Sequence, residues 1–476
     1  MLSLAHPFSR LCRHAIAANR NRWGPVFAAR LAGVLFLILA PVIQAQAQAQ
    51  SVAAAQGQTC PDLSAFYSPQ NPNWFEQERQ LSALMTQCLE TAQFFALIGA
   101  AQLNGGQVAQ AAESLERALL LDPDNGAAQI DYAETLFEIG QLFNALELNA
   151  QLLQRSDLLA DLRPLLEQRQ RRWQGATRES RVEADLLAGY DNNLNGGPNS
   201  AQIALTPSGE SILLALSDKL RPVSGPYLNM GVTGRYRQLA AEHQHNWSAG
   251  VRGRVSEDPE SDMLQLAGQY VFLGAGRHRS WQLAANVNHL YYGGSPLFSG
   301  IETSARVQFS NTRRCQPYYG LAVQQQIFHG QSLLNALESK LGAGISCSPK
   351  AAAGYRLTAE LNVLNNSAQQ SNRLGGSRDG WQLSVGWGRP FLRGTLRAQL
   401  NYTELRDKEG YSPLLANGAE RWQKRGSVLL QYSEPMTLFG RATNLLVNIY
   451  NQRQTSNIQL FRTTNISTEV GFSWGF

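Results

Sequence analysis

Apolar and polar side chains alternate with a period of two along most of the second half of the chain. Residues 247–255 and 355–363 place apolar groups on one face and polar groups on the other, and residues 465–476 end in the same way, with Trp474 and Phe476 on the apolar face. A period of two indicates a strand with two unlike faces. Such a terminus suits either the edge of a soluble sandwich or a strand whose apolar face meets lipid.

Fourteen strands of this kind are predicted within residues 179–476. They begin near Val182, Tyr227, His245, Met263, Trp281, Glu302, Gln316, Leu337, Tyr355, Trp381, Arg393, Arg421, Arg441 and Asn465. Together they predict a closed antiparallel transmembrane β-barrel, which satisfies its backbone polar groups within lipid. A further apolar run, residues 211–219, is assigned to a long first loop, because an even strand number puts both barrel termini on one side. The role of residues 191–225 is left open.

Residues 48–178 have a helical pattern that repeats. Within about 92–159, two copies of 34 residues align Gly106 with Gly140. The spacing of small and apolar residues resembles the tetratricopeptide repeat, in which small residues let the two helices of a pair approach. The second copy departs from the repeat pattern, notably at Asn149, and an ordinary helical hairpin domain is the alternative. The predicted fold class is therefore α plus membrane β.

Repeat helices of this kind stack to form a concave face that can hold an extended protein segment. A helix from about Asp157 to Trp173 is predicted to cap the stack. The side chains assigned to the client-binding groove are Gln93, Leu103, Asn104, Ile130, Glu134, Phe137 and Glu138. For Leu103, Ile130 and Phe137, a place in a small core is an equal alternative.

The first 47 residues are predicted to be a secretory leader. Five arginines and no acidic residue precede an apolar run of about eleven residues, 31–41, which is too short to span a bilayer as a helix. These five arginines account for the whole formal charge of +5. Removal of the leader leaves a chain near neutrality, which argues against nucleic acid as a partner.

The two halves of the remaining chain carry charge of opposite sign. Residues 49–180 contain sixteen acidic and eight basic residues, and residues 181–476 contain twenty acidic and twenty-eight basic residues. Outside the leader there are four cysteines, an even number, which suits an oxidising compartment. Two lie in the helical part, Cys60 and Cys88. A strand pair centred near Gln331 would set residue i opposite 662 minus i, and so Cys315 opposite Cys347.

Four particular features together resemble the surface lipoprotein assembly modulators, the Slam family. They are a short tetratricopeptide module, AGYDNNLN just after it, GYSPLL followed by GAER, and TSNIQLF before the last strand. The resemblance implies a fourteen-stranded outer-membrane barrel that helps lipid-anchored proteins reach the cell surface. On this basis we expect an outer-membrane location in a Gram-negative bacterium, with the helical domain in the periplasm. The expected partners are a lipoprotein client, the barrel-assembly machinery and outer-membrane lipid, and the barrel is expected to be monomeric.

Two further sets of residues are assigned from the strand pattern. The last strand is similar to the signal read by the barrel-assembly machinery, polar-x-Gly-x-x-apolar-x-apolar, at Glu469, Gly471, Trp474 and Phe476. Charged side chains on the polar faces are expected to line the lumen. They are the basic residues Arg235, Arg237, Arg252, Arg254, Arg306, Arg356 and Arg397, and the acidic residues Glu183, Asp185, Glu360, Glu404 and Glu469.

No enzyme, metal site or cofactor is predicted. Beyond the leader the histidines are His243, His245, His278, His289 and His329, and the first three are placed in short solvated turns. An exopolysaccharide export porin with a tetratricopeptide domain is the second functional hypothesis, although such exporters carry longer repeat arrays. A general porin is the third, and it would not need a helical module.

Overall fold

The structure is a computed structural model that describes residues 59–67, 73–207, 210–276, 278–309, 314–348 and 354–476. The predicted leader, residues 1–47, lies outside these residues. The chain separates into two compact units, one ending at Ala176 and the other running from Thr177 to Phe476. The first unit is helical and the second is a closed barrel, so the predicted fold class is confirmed.

Among its described residues, the helical unit contains six α-helices. They are α1 (Trp74–Ala83), α2 (Ala92–Asn104), α3 (Val108–Leu121), α4 (Gly126–Glu138), α5 (Leu142–Gln154) and α6 (Leu162–Ala176). Helices α2 and α3 form the first repeat, and α4 and α5 form the second. The aligned glycines Gly106 and Gly140 follow the first helix of each repeat with φ of +80° and +83°, a backbone conformation that favours glycine.

Small residues allow close packing within the first repeat. A Cβ atom at Gly99 would lie 2.6 Å from Cγ of Leu115, so only glycine lets α2 and α3 approach at this point. Leu81, Phe94 and Ile98 are buried around the same contact. This apolar cluster is the core of the first repeat.

Helix α6 covers the second repeat and begins at Leu162, later than the predicted start near Asp157. Pro164 explains the difference, because proline is tolerated in the first turn of a helix, where backbone N–H groups have no intrahelical acceptor, but not further inside. Trp173 of α6 is fully buried and stacks on Phe137 with a ring separation of 5.0 Å. Helix α6 is thus a packed cap.

In the part of the second unit that the structure describes there are sixteen strands, of which fourteen form the barrel. They are β1 (Arg178–Asp191), β2 (Gln202–Leu205), β3 (Ile212–Ala215), β4 (Gly225–Leu239), β5 (His243–Ser256), β6 (Met263–Ala275), β7 (Arg279–Tyr292), β8 (Ser295–Phe309), β9 (Cys315–Phe328), β10 (Ala336–Cys347), β11 (Arg356–Ala368), β12 (Arg378–Phe391), β13 (Gly394–Gly410), β14 (Glu420–Leu438), β15 (Arg441–Ser456) and β16 (Thr463–Gly475). All neighbours are antiparallel, and β1 closes the barrel by pairing with both β4 and β16.

The outer surface of the barrel is apolar. Leu341 and Val363, for example, are 68% and 65% exposed. A closed barrel with an apolar outer surface and a polar interior is an outer-membrane type of structure. We call the end where β1 begins and β16 finishes the terminal rim, and the opposite end the distal rim. Among the described residues, no helix is long and apolar enough to cross a membrane.

Two sequence-based boundaries differ from the structure. Strand β8 begins at Ser295, well before the predicted start near Glu302. The two residues Gly293 and Gly294 alone join β7 to β8, both with positive φ, as a tight hairpin turn requires. The apolar run at 211–219 lies outside the barrel as predicted, because β2 and β3 pair only with each other.

The four cysteines beyond the predicted leader form two disulfides, one in each unit. Cys315 lies directly opposite Cys347 in the β9–β10 ladder, and the two form a disulfide. The predicted register for this strand pair is therefore confirmed. Cys60 and Cys88 form the second disulfide, inside the helical unit.

Candidate functional site: the lumen and the distal rim

Most of the charged side chains predicted to face the lumen form ion pairs across strands. The closest N–O distances are 3.0 Å for Arg235–Glu183, 2.8 Å for Arg252–Asp185, 2.9 Å for Arg306–Glu360 and 3.6 Å for Arg254–Asp191. Arg237 pairs with Glu179. The paired residues are far apart in sequence, so ion pairs connect the strands that form the lumen wall.

Glu469 and Arg397 also face the lumen but without an ion pair among the described residues. Glu469 accepts hydrogen bonds from Tyr227, Asn229 and Asn448 at 2.9, 3.0 and 2.9 Å. Glu469 therefore has a structural position in the lumen in addition to its place in the predicted assembly signal. The strand register sets both Arg356 and Arg397 opposite Gly388, which puts the two guanidinium groups on one section of the wall.

The prediction for Glu404 is wrong. Glu404 pairs directly with Trp381, which pairs with Val363, and residues paired in this way share a face of the sheet. Val363 is 65% exposed on the outer surface, so Glu404 also points outward. Its carboxylate lies 3.6 Å from Lys424. Leu400, which is 42% exposed, lies on the same face of β13 (Gly394–Gly410), so the alternation along this strand itself places Glu404 outside.

The stretch DNNLN forms a buried hydrogen-bonded cluster where β1 meets β16 at the distal rim. Asp191 and Asn193 are 3% and 2% exposed. Asp191 accepts from Asn465 at 2.8 Å, and Asn193 donates to the carbonyl of Thr464 at 2.9 Å. Asn192 accepts from the backbone N–H of Ile466 at 2.8 Å. Asparagine side chains therefore extend the seam between the first and last strands.

The β2–β3 hairpin is held at the distal rim by the other two stretches. The backbone N–H of Thr206 donates to the carbonyl of Leu414 at 2.9 Å, within GYSPLL. The backbone N–H of Ala204 donates to the side chain of Gln459 at 3.2 Å, within TSNIQLF. GYSPLL and TSNIQLF, two of the stretches on which the family resemblance rests, thus meet at one hairpin, which the sequence could not show.

A buried charge cluster joins the same two loops. Asp407 lies 3.1 Å from Arg421 and 3.3 Å from Arg378. The guanidinium of Arg421 lies over the rings of Tyr411 and Phe461, at 4.3 and 4.4 Å from their centroids, and these two rings contact each other edge-on. Removing one partner of a buried pair is strongly destabilising, so this cluster fixes the loops after β13 and β15 relative to each other.

Residues predicted for the client groove of the helical unit fall into two groups. Glu134 pairs with Arg172 at 3.1 Å and Arg169 at 3.7 Å, both on α6, and Phe137 stacks on α6, as described above. The carbonyl of Ile130 accepts from Arg169 at 3.0 Å. Ile130, Glu134 and Phe137 are thus engaged by the cap.

Three other groove residues, Gln93, Asn104 and Glu138, are exposed, and Leu103 packs against the first core cluster. A separate groove of about 270 Å³ opens between α4 and α5, lined by Tyr132, Gln141, Asn144, Glu147 and neighbouring side chains. Sequence reasoning did not find it, because its lining combines both helices of the repeat. Client binding by either surface stays a prediction.

The departure from the repeat pattern at Asn149 has a structural reason. Asn149 is fully buried and donates to the carbonyl of Leu166 at 3.0 Å and to the side chain of Gln170 at 2.7 Å. Its oxygen accepts from Arg169 at 2.8 Å. An amide thus replaces the usual apolar residue because helix α6, and not a further repeat, packs there.

Histidine placement differs from the sequence-based expectation. His243 and His245 belong to β5 and not to a turn; His245 bonds Tyr270 at 2.8 Å and stacks on Trp247. Within the described residues there is no group of three side chains that could hold a metal ion. His289 and His329 meet at the distal end of the outer wall and are considered below.

A tetratricopeptide repeat model matches residues 103–167. No curated protein matches the chain. Among solved structures, the Yersinia enterocolitica type III secretion chaperone SycD, in complex with a peptide of the translocator YopD, is 19% identical and covers 22% of this chain and 81% of its own, with a TM-score of 0.20. The outer membrane channel DcaP of Acinetobacter baumannii is 9% identical and covers 63% of this chain and 98% of its own, with a TM-score of 0.34.

An anion-selective porin from Comamonas acidovorans is 14% identical and covers 63% of this chain and 99% of its own, with a TM-score of 0.31. These scores are low, and the functional assignment rests on this chain's own residues. A closed barrel with an apolar outer wall and a charged lumen, joined in one chain to a tetratricopeptide-type helical unit, defines a β-barrel protein of the outer-membrane class.

Proposed function

We propose that this protein delivers lipid-anchored proteins to the outer face of the outer membrane. The helical unit recruits the client in the periplasm, and the barrel provides the route. In this orientation the terminal rim faces the periplasm and the distal rim faces the exterior. The barrel-assembly machinery inserts the barrel by reading Glu469, Gly471, Trp474 and Phe476.

The observation that carries the proposal is the short ladder at the β1–β16 seam. Strand β1 forms fourteen residue pairs with β4 but only nine with β16, which backbone hydrogen bonds of Val182 with Phe476 and of Asn192 with Ile466 extend by one residue at each end. A lipid-anchored client carries acyl chains that are costly to move through a polar lumen. A seam that opens sideways lets the polypeptide cross while the acyl chains stay in lipid. The DNNLN cluster and the β2–β3 hairpin then close the distal end of the seam.

A cysteine cross-link at the seam tests this route. Ala188 lies directly opposite Val470 across the seam, and Val447 lies opposite Val470 on the other side of β16. The pair Ala188→Cys and Val470→Cys is expected to abolish surface display of a lipoprotein client when oxidised and to restore it when reduced. The matched pair Val447→Cys and Val470→Cys joins strands that stay together, so display should continue.

Equal display from both oxidised pairs would contradict a lateral route. Display is measured by protease accessibility of the client on intact cells. Heat-modifiable migration of the barrel in gels checks that each variant is assembled.

A second candidate is export of an anionic polysaccharide. Among the described residues, Arg397 and Arg425 face the lumen without a carboxylate in ion-pair distance; Arg425 bonds Gln454 instead, at 2.8 Å. Guanidinium groups that have no carboxylate partner in a lumen attract anions. Loss of an extracellular polymer, with unchanged lipoprotein display, in cells lacking this protein would favour this function.

A further inference from the structure

Two histidines and a serine meet on the outer wall of the barrel near the distal rim. Oγ of Ser299 lies 2.7 Å from Nδ1 of His289 and 2.7 Å from Nε2 of His329. Ser299 pairs directly with His289 across the β7–β8 ladder, and His329 follows the last residue of β9. The three side chains come from β7, from β8 and from the residue directly after β9, and all are partly exposed.

The register shows that this group faces lipid and not the lumen. His289 pairs with Leu266, which is 42% exposed on the outer wall. Ile301, two residues from Ser299 on the same face of β8, is 53% exposed. Tyr291 contacts His289 edge-on with a ring separation of 4.5 Å, and aromatic residues of this kind mark the level of the membrane interface.

An apolar groove of about 600 Å³ in the outer wall leads to His289. Its floor is the directly paired row Gly234, Ala249 and Gly268, where side chains are absent or minimal. Bulky Trp247 and Tyr270 of the next row, 5.4 Å apart, bound it toward the terminal rim. A groove in a lipid-facing wall, apolar along its length and polar at one end, fits an acyl chain whose ester lies at the polar end.

The hydrogen bonds assign complementary roles to the two imidazoles. A hydroxyl donates one proton, so Ser299 donates to one histidine and accepts an N–H from the other. One imidazole is therefore placed to take the hydroxyl proton, and the other to donate. A serine held against a base in this way has the geometry of an activated nucleophile.

We propose that His289, Ser299 and His329 form a hydrolytic site for acyl esters of membrane amphiphiles. Oγ of Ser299 forms a bond to the ester carbonyl carbon as its proton passes to the accepting imidazole. The bond from that carbon to the alcohol oxygen breaks, and the alcohol leaves with a proton from an imidazole. Water then cleaves the acyl-serine, releasing a fatty acid and returning the proton to Ser299.

This activity goes beyond the proposed transport function and competes with the expectation that the chain has no enzymatic site. The three residues lie far apart in the sequence and are brought together only by the register of β7, β8 and β9. The ester could belong to a membrane phospholipid or to the lipid anchor of a client. Both carry the same chemical group, and the test separates them.

The test uses the full chain purified in detergent micelles, without any client. A fluorophosphonate probe should label the protein, and Ser299→Ala should abolish the label. Ser339→Ala is the matched control, because Ser339 also faces outward, opposite Val323 in the β9–β10 ladder. Fatty-acid release is measured from phosphatidylethanolamine in mixed micelles and, separately, from a synthetic diacylated lipopeptide.

Release from either substrate that disappears in Ser299→Ala supports the proposal, and the substrate identifies the source of the ester. His289→Gln and His329→Gln should each lower the rate by about 10²–10⁴-fold, whereas His243→Gln, at the other rim, should not. Labelling or release that persists in Ser299→Ala, or no release from either substrate, would overturn it. Because no client is present, this result is independent of whether the transport proposal holds.

The groove is tested by filling it. A Cβ atom at Gly234 would meet nothing closer than 3.9 Å, so Gly234→Leu should leave the barrel assembled, as heat-modifiable migration would verify. The variant should lose release from long-chain esters and retain cleavage of a p-nitrophenyl butyrate probe. Equal loss on long and short esters would contradict the assignment of the groove to the acyl chain.

Discussion

The helical unit and the barrel bury opposite kinds of side chain. In the helical unit, Phe94 and Trp173 are fully buried, and apolar packing supplies most of the stability. In the barrel, Leu341 is 68% exposed, whereas Asp185 and Glu469 point inward and are bonded there. Apolar side chains therefore point into the core of the helical unit but outward from the barrel, and charged side chains such as these point into the barrel. The two units should accordingly respond to different perturbations.

The largest effect is expected on assembly of the barrel. Phe476 continues the seam through two backbone hydrogen bonds with Val182, at 2.8 and 3.0 Å, and its ring is 64% exposed. Phe476→Ala keeps both backbone bonds and removes only the ring. If the ring is part of the assembly signal, most of the heat-modifiable barrel should disappear from the outer membrane and degradation should rise.

Phe472→Ala is the matched control for that variant. Phe472 lies on the same strand but at a position that the signal leaves unspecified. Similar losses in the two variants would mean that apolar area on β16, and not a terminal signal, governs assembly. The helical unit should be unaffected in both variants.

A large effect on the helical unit alone is expected from Trp173→Ala. Trp173 is fully buried against α4, and removing a buried tryptophan costs about 3–5 kcal/mol through lost burial and the cavity that remains. The circular dichroism at 222 nm, followed in denaturant, should show earlier loss of helix. Heat-modifiable migration of the barrel should not change, and a parallel loss of barrel would show that the units do not fold separately.

The sequence predicted the parts of this comparison that depend on local pattern. Alternation located all fourteen barrel strands, and turn symmetry placed Cys315 opposite Cys347. The aligned glycines Gly106 and Gly140 marked the repeats, because positive φ after a helix favours glycine wherever the fold requires it. Each of these features is determined by residues close together in the chain.

Features that depend on pairing between distant strands or helices were not predictable. Asn149 departs from the repeat pattern, and the sequence does not show why, because its three hydrogen-bonding partners lie on α6. Ser299 is unremarkable in the sequence, since His289 and His329 approach it only through the barrel register.

A moderate, pH-dependent effect is expected at Asp131 on α4. Burial raises the pKa of Asp131 from 3.8 to about 6, although Arg169 opposes the shift. The folded state therefore binds the proton more tightly than the unfolded state. The resulting stabilisation is present below about pH 4 and is lost as pH rises through the folded pKa of about 6.

Asp131→Asn should accordingly stabilise the helical unit at pH 7.5, by on the order of 1–2 kcal/mol, and give no gain at pH 4. Helix loss in denaturant at the two pH values is the measurement. Glu138→Gln, an exposed carboxylate on the same helix, is the control and should show no such difference. An equal effect of Asp131→Asn at both pH values would exclude titration of Asp131 as the cause.

The smallest expected effect distinguishes a structural role from a client-binding role for the acidic residues of α4. Glu134 is paired with Arg169 and Arg172 of the cap, whereas Glu138, one turn later, is exposed. Glu134→Gln should lower the stability of the helical unit by about 0.5–1 kcal/mol, the range for a partly exposed pair, and Glu138→Gln should leave it unchanged. Both carboxylates are proposed to bind the client, so if recognition depends on their charge, client display should fall in Glu138→Gln without any loss of helix. The contrary outcome is that display falls only in Glu134→Gln and in proportion to the loss of stability. In that case the acidic residues of α4 hold the cap in place and the client binds elsewhere. The groove between α4 and α5 is then the next surface to mutate.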